Sequence, residues 1–361
     1  MRGADITQES LFTTVHLETF VPKNHPLRGI RELMDSALKR MNWLFDSAYA
    51  DMGRTSIAPE RLLRASLLQV LFSIRSERQL VEHIHYNLLY RWFIGLSIDD
   101  KVWDHSTFSK NRDRLLEHDV IPELFEEVVR LARKKKLVSQ EHFSVDGTLI
   151  QAWASQKSFR PKDDDNDSDG GGRNAERDFH GEERLNETHE SRTDPDARSY
   201  RKSKGSEARM AYLGHTLMEN RNGLIVNAKV TLATGTAERE AAMEMMDELP
   251  RSRRRTLGGD KNYDTHDFVE LCRSKNITPH VACNTDRPGG SALDERTTRH
   301  AGYQISQRKR KRIEEPFGWG KTVGLMRQVK VRGQAKVDAT FRMVMVAWNL
   351  LRTHNLSEQW A

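Results

Sequence analysis

The sequence predicts an α+β protein in two parts. An N-terminal helical domain occupies 1–140, and a domain built on a mixed central sheet flanked by helices occupies 141–361. Three observations predict this. Apolar residues recur at helical spacing through the first 140 positions. Two-residue alternation begins abruptly at His142. From there strand-like and helical segments interleave to the C-terminus. A chain of 361 residues has the length of two or three domains.

The elements follow in order. Leu27–Ala48 sets Leu27, Ile30, Leu33, Met34, Leu38 and Met41 at helical spacing. A second helix starts at Pro59, whose missing N–H costs little in a first turn, and runs through Leu62, Leu63, Leu67, Leu68, Val70 and Leu71. A third spans about Glu77–Phe93 and stops near Gly95. A fourth opens at the capping cluster Asp104-His105-Ser106-Thr107 and continues to Leu116. A fifth spans about Ile121–Lys136. The segment Ser106–Arg114 is short, polar and basic. It suits the recognition helix of a helix-turn-helix unit, and equally an exposed helix of a small bundle.

His142–Leu149 reads as a strand. Residues 157–204 break the pattern with DDDNDSD, a triple glycine and few apolar residues, and read as a mobile insertion too polar to offset its ordering entropy. Ala211–Glu219 and Leu224–Leu232 form a hairpin around Asn220-Arg221-Asn222-Gly223. Thr236–Leu249 is a helix closed by Pro250, Arg255–Gly259 a short strand, Thr265–Lys275 a helix and Thr278–Cys283 a strand. Residues 284–298 form a polar loop. The chain is helical again from Ser306, and Val337–Leu356 is the final helix. The order from 141 is strand, hairpin, helix, strand, helix, strand and helices, the succession of a ribonuclease-H-like domain.

Composition narrows the function. The chain is 37% hydrophobic and 30% charged, enough for real cores beneath a wide charged surface. Two cysteines and 7% aromatic residues exclude a disulfide-stapled secreted scaffold, and Cys272 and Cys283 are expected as free thiols in a reducing compartment. No run of 18 apolar residues predicts a membrane span, and the N-terminus has no signal-peptide pattern. A soluble cytoplasmic protein is expected. The net charge is +6, unevenly placed. Arg296–Lys336 holds twelve basic and two acidic residues, so the rest of the chain is slightly acidic. Tyr303, Phe317 and Trp319 interleave with these cations. That combination points to nucleic acid, because phosphates supply nonspecific affinity and rings stack on bases.

Three carboxylates stand out. Asp146 sits inside a strand that should be core, where a charge is unfavourable unless paired or metal-bound. Asp260 follows Gly258-Gly259 at a strand end, and Glu314 lies in the basic segment RKRKRIEEPFGWGK. Together they would form an oxygen site for Mg²⁺ or Mn²⁺, and two such ions support phosphodiester chemistry. Each also has a plainer reading. Asp146 suits a turn before Gly147, Asp260 an Asx turn, and Glu314 an ion pair along its helix, with Glu315 as its competitor.

These blocks resemble, over nearly the whole chain, the bacterial insertion-sequence DDE transposases of the insertion-sequence-five family. LFTTVHLETFVPKNHPLR and VWDHSTFSKNR resemble the family's end-binding domain. FSVDGTLIQAWAS resembles the block of the first catalytic aspartate, Asp146. GHTLMENRNGLIV is a distinctive family stretch, and LGGDKNYD resembles the second block, with Asp260. SQRKRKRIEEPFGWGKTVGLM resembles the third, which carries the signature Y-x2-R-x3-E-x6-K. Arg310, Glu314 and Lys321 fit its spacing, which ranks Glu314 above Glu315. Gln307 stands in the tyrosine position, and Tyr303 is four residues earlier.

The resemblance implies catalysis by Asp146, Asp260 and Glu314 with two Mg²⁺ ions, Mn²⁺ being able to substitute. It implies phosphate contacts from Arg310 and Lys321, no covalent protein–DNA intermediate, and a homodimer bridging paired ends. Arg308, Lys309, Lys311 and Arg312 are expected to bind DNA. The expected activity is cleavage at terminal inverted repeats and joining of the 3′-OH ends to target DNA, in the bacterial cytoplasm at the nucleoid. The alternatives are a metal-dependent structure-specific nuclease without strand transfer and a non-catalytic DNA-binding regulator. Within the signature, Arg310 and Glu314 share a helix face, and Pro316 should kink the helix.

Overall fold

The computed structural model describes residues 16–49, 56–162, 184–201, 205–250 and 254–358. Eight helices come first: α1 (Leu17–Phe20), α2 (Leu27–Arg40), α3 (Asn42–Ala48), α4 (Pro59–Leu71), α5 (Glu77–Tyr86), α6 (Leu88–Ile94), α7 (His105–Glu117) and α8 (Val120–Lys134). Two helices expected as continuous are each split. Asn87 adopts an extended backbone and its side chain accepts from the amides of Leu89 and Tyr90, so it starts α6 where α5 ends. Met41, with ψ near 4°, separates α2 from α3. Gly95 ends α6 at φ 91°, a conformation open to glycine, and Asp104 caps α7 by accepting from Ser106 N.

The strands and remaining helices follow: β1 (His142–Gln151), β2 (Phe159–Pro161), β3 (His189–Ser191), β4 (Arg198–Tyr200), β5 (Arg209–Glu219), β6 (Ile225–Leu232), α9 (Ala237–Asp247), β7 (Arg255–Gly259), α10 (His266–Ser274), β8 (Ile277–Val281), α11 (Glu295–Thr298), α12 (Ala301–Lys309), α13 (Glu314–Thr322) and α14 (Gln334–Glu358). β1 pairs antiparallel with β5 and parallel with β7, and β8 lies parallel beside β7. The far side of β5 takes β4 at its start and β6, antiparallel, along the rest. The mixed sheet therefore runs β6-β5-β1-β7-β8. At the β5–β6 turn Gly223 has φ 75°, and the buried Glu219 carboxylate accepts from the amides of Arg221, Asn222 and Leu224.

Each face of the sheet carries its own core. On one face Phe143, Val145 and Leu257 pack with Ala242, Met243 and Met246 of α9 and with Phe268, Val269 and Cys272 of α10. On the other, Ile150, Tyr212 and Met218 join a core that runs without interruption through α14 into α2, α4, α6 and α8. The helices of 1–140 thus share their apolar interior with the C-terminal helix. In α7, Phe108, Asn111 and Leu115 are buried, Arg112 pairs with Glu77, and Lys110 and Arg114 are exposed.

The segment read as a mobile insertion is partly built into the fold. Residues 163–183 and 202–204 of it lie outside the described residues. Its two ends carry β2, β3 and β4, and Ser191, Asp194 and Ala197 are buried. The Asp194 carboxylate accepts from Tyr212 Oη at 2.7 Å and from Gly333 N at 3.0 Å, and Asp196 accepts from Gln334 N at 2.9 Å. Two acids of the insertion therefore cap the 25-residue helix α14. That helix in turn satisfies the outer edge of β6. Asn349 exchanges two hydrogen bonds with the backbone of Ile225, and Asp338 accepts from Val230 N at 2.7 Å. Low hydropathy hid this segment because its contribution is polar.

Candidate active site

The site lies at the C-terminal end of the parallel pair β1 and β7. Asp146 is on β1, half-buried, and one of its carboxylate oxygens accepts from Gly147 N at 2.8 Å. Asp260 follows the last residue of β7 and caps the next turn through Asn262 N at 2.8 Å. Glu314 opens α13 and is exposed. Burial first, then the charges of Asp260, Glu238 and Glu314, push the Asp146 carboxyl up to about 7, so these acids lie within electrostatic range of it. Among the described residues, no group of three or more His, Cys, Asp or Glu side chains stands close enough together to hold a metal ion. The acids are electrostatic neighbours with an all-oxygen donor set, chemistry that fits a hard divalent cation.

The basic segment is shaped differently from the continuous helix expected after Ser306. α12 ends at Lys309, a 3₁₀ turn spans Arg310–Ile313, and α13 begins at Glu314. Pro316 falls in the first turn of α13 and is buried, so the break comes before the proline. At three residues per 3₁₀ turn, Arg310 and Glu314 no longer share a helix face. Both nonetheless approach β1 and β7. Arg310 Nε donates to Gln307 Oε1 at 2.9 Å, and its Cβ lies 3.3 Å from the position a Cβ on Gly258 would take. Gln307, in the signature's tyrosine position, also donates to His280 O, so it braces Arg310 against β8. Arg308, Lys309 and Lys311 are exposed, and Lys321 is half-buried in α13. Arg312 is turned inward, donating to Arg221 O at 3.3 Å and pairing with Glu315.

The interleaved aromatics do not form a stacking platform. Phe317 is buried, Trp319 packs on Trp348 with centroids 5.9 Å apart, and Tyr303 donates to Val281 O at 2.9 Å. Their spacing in the sequence reflects packing on α14 and β8.

Glu238, in the first turn of α9, was not singled out in the sequence. Nothing but its place after the hairpin marks it there. Tyr263, three residues after Asp260, is fully buried, its ring against Gly259 and its hydroxyl without a hydrogen-bond partner. Of the two free cysteines, Cys272 is buried on the inner side of α10, and Cys283, just past the end of β8, bonds Tyr303 Oη at 3.3 Å.

Two family models match the chain. Residues 15–114 match the family model Transposase domain (DUF772). No curated protein matches the chain. Among solved structures, a piggyBac transposase synaptic complex with hairpin DNA is 12% identical, over 93% of this chain and 76% of that one, with a TM-score of 0.43. A Mos1 transposase paired-end complex with the left transposon end is 11% identical, over 71% of this chain and 73% of that one, with a TM-score of 0.20. Those likenesses are too distant to add to the sequence match. The model described as Transposase DDE domain matches residues 139–350, well over half of the chain and all three acids, and the chain belongs to that DDE transposase family.

Proposed function

We propose that the protein is a DNA transposase of the insertion-sequence-five type with a ribonuclease-H-like catalytic domain. It binds the terminal inverted repeats of its element, cleaves there and joins the 3′-OH ends to target DNA by phosphodiester transesterification. The observation that supports this best is the approach of Asp260 and Glu314 to Asp146 at one end of the sheet. Asp146, Asp260 and Glu314 hold two divalent cations, Mg²⁺ or Mn²⁺. When bound, such ions activate a water or 3′-hydroxyl and stabilise the leaving oxygen.

The chain's own groups bind and orient DNA. Arg310, braced by Gln307, and Lys321 grip phosphate beside the acids. Arg308, Lys309 and Lys311 supply backbone affinity, and Arg312 stiffens the turn that carries them. Residues 1–140 read the repeats, and α7 presents Lys110 and Arg114 for that purpose. Two copies bridge the paired ends, in the bacterial cytoplasm at the nucleoid.

The test is a strand-transfer assay with the full-length protein, its element ends and Mg²⁺. Joined products are expected, and Asp146→Asn or Glu314→Gln should abolish them while end binding persists. Cleavage without joined products would favour a nuclease. Binding with no metal-dependent cleavage of any kind would leave a regulator. Activity retained in Glu314→Gln but lost in Glu315→Gln would move the third acid by one residue.

A further inference from the structure

We propose that Glu238 is a fourth carboxylate of the cation site, reaching it through a notch in the sheet at Gly147. This rests on the cation site of the proposed function and extends its donor set.

The notch follows from strand alternation. Phe143, Val145 and Gly147 share one face of β1, and Phe143 and Val145 pack against α9 in one core. Asp146 points to the opposite face. The direct route for a carboxylate borne on α9 is across the sheet, at a position that carries no side chain. Gly147 is that position. A Cβ there would stand 2.7 Å from Glu238 Oε1 and 3.1 Å from its Cγ. The Glu238 carboxylate thus lies directly over the backbone of Gly147, the residue whose amide holds Asp146.

The second observation is Tyr263. Its side chain is fully buried and its hydroxyl has no partner, a rare arrangement for a buried donor. The charges acting on that hydroxyl are Glu238 first, then Asp146 and Asp260. It is a buried donor within electrostatic range of all three acids, available to a carboxylate oxygen or a cation-bound water. Glu240 shares the first turn of α9 and its favourable helix dipole, yet is exposed. Helix capping alone therefore does not distinguish Glu238, whereas its seat over Gly147 does.

The experiment measures Mn²⁺ binding to the full-length protein from the free-ion electron paramagnetic resonance signal, alongside thermal unfolding with and without Mn²⁺. Glu238→Gln should weaken Mn²⁺ binding by at least about tenfold, the lower end of what losing even an outer-shell partner costs. It should also shrink the Mn²⁺-induced rise in Tm. Tyr263→Phe should do the same to a smaller degree, and Glu240→Gln should match the wild type. A structural role for Glu238 would lower Tm equally with and without Mn²⁺ and leave affinity intact, which overturns the proposal. Should Glu238→Gln fail to fold, Glu238→Asp keeps the charge on a shorter arm, and wild-type Mn²⁺ affinity in it counts equally against the proposal. Asp146→Asn separates the two levels. Lost Mn²⁺ binding there with none lost in Glu238→Gln sinks only the fourth carboxylate. Unchanged binding in Asp146→Asn sinks the cation site itself.

Discussion

Asp146 holds its proton to about pH 7 in the folded chain because burial and three facing carboxylates all oppose its charge. Its ordinary value is 3.8, so between about pH 4 and 7 the folded state binds more protons than the unfolded one. Stability from this group is full below pH 4 and is lost as pH rises toward 7, up to roughly 4 kcal/mol at 1.36 kcal/mol per unit. His215 and His280 act with the opposite sign. Burial lowers both to about 4, so their contribution grows as pH rises through the same window. The wild-type profile therefore mixes the two, and Asp146→Asn isolates the carboxylate. Without metal it should raise the urea midpoint at pH 8 and leave it nearly unchanged at pH 4; equal midpoints at pH 8 would show that Asp146 is not repelled. A second residue-scale outcome concerns the basic run. Arg310→Ala and Gln307→Ala should both depress single-turnover cleavage more than DNA binding, since Gln307 holds Arg310. Lys309→Ala with Lys311→Ala should instead weaken binding to all sequences and flatten its salt dependence by about one unit of slope for each phosphate no longer neutralised. Cleavage that survives Arg310→Ala and vanishes at saturating protein in the lysine pair would reverse these roles.

At the scale of the elements, α14 is the piece on which most others depend. It closes the edge of β6 with Asn349 and Asp338, packs on α2, α4 and α8, and is capped by acids from the 157–204 segment. Asp194→Ala should therefore cost roughly 2–3 kcal/mol, a lost cap plus a buried Tyr212 hydroxyl left unsatisfied, read as a drop in the denaturant midpoint. Asp194→Asn, which keeps an acceptor, should cost less than half as much. Equal losses would mean that the charge on the helix N-terminus, not the hydrogen bonds, is what matters. The polar composition of this segment predicted a largely mobile insertion. Hydrophobic burial is only one way to order a chain, and a hydrogen-bonded cap leaves no trace in hydropathy.

For the whole molecule, the interior shared by the N-terminal helices and α14 has a direct consequence. A fragment ending at Lys134 leaves the apolar faces of α2, α4 and α8 uncovered, so it should lack a cooperative thermal transition by circular dichroism, whereas 16–358 should show one. A sharp transition in the fragment would show that the helices fold without α14. The alternation of β1, the Asn-Gly turn and the capped start of α7 were all legible in the sequence, because each is set by neighbours a few residues away. Asp146, Asp260 and Glu314 were singled out on the same local grounds, as a carboxylate in an apolar strand, one after a glycine pair and one at signature spacing, and their catalytic role remains the proposal made above. Other features were decided in three dimensions. The split of the basic segment around a 3₁₀ turn, the inward turn of Arg312 and the burial of Phe317 depend on what β5, β8 and α14 place beside them. Glu238 has no local signature at all. It sits over Gly147 of β1, a contact between residues far apart in the chain that only the packing of α9 on the sheet creates. Sequence pattern reports periodicity and local conformational cost, and contacts between residues far apart in the chain are settled only when the sheet pairs and its two faces are covered.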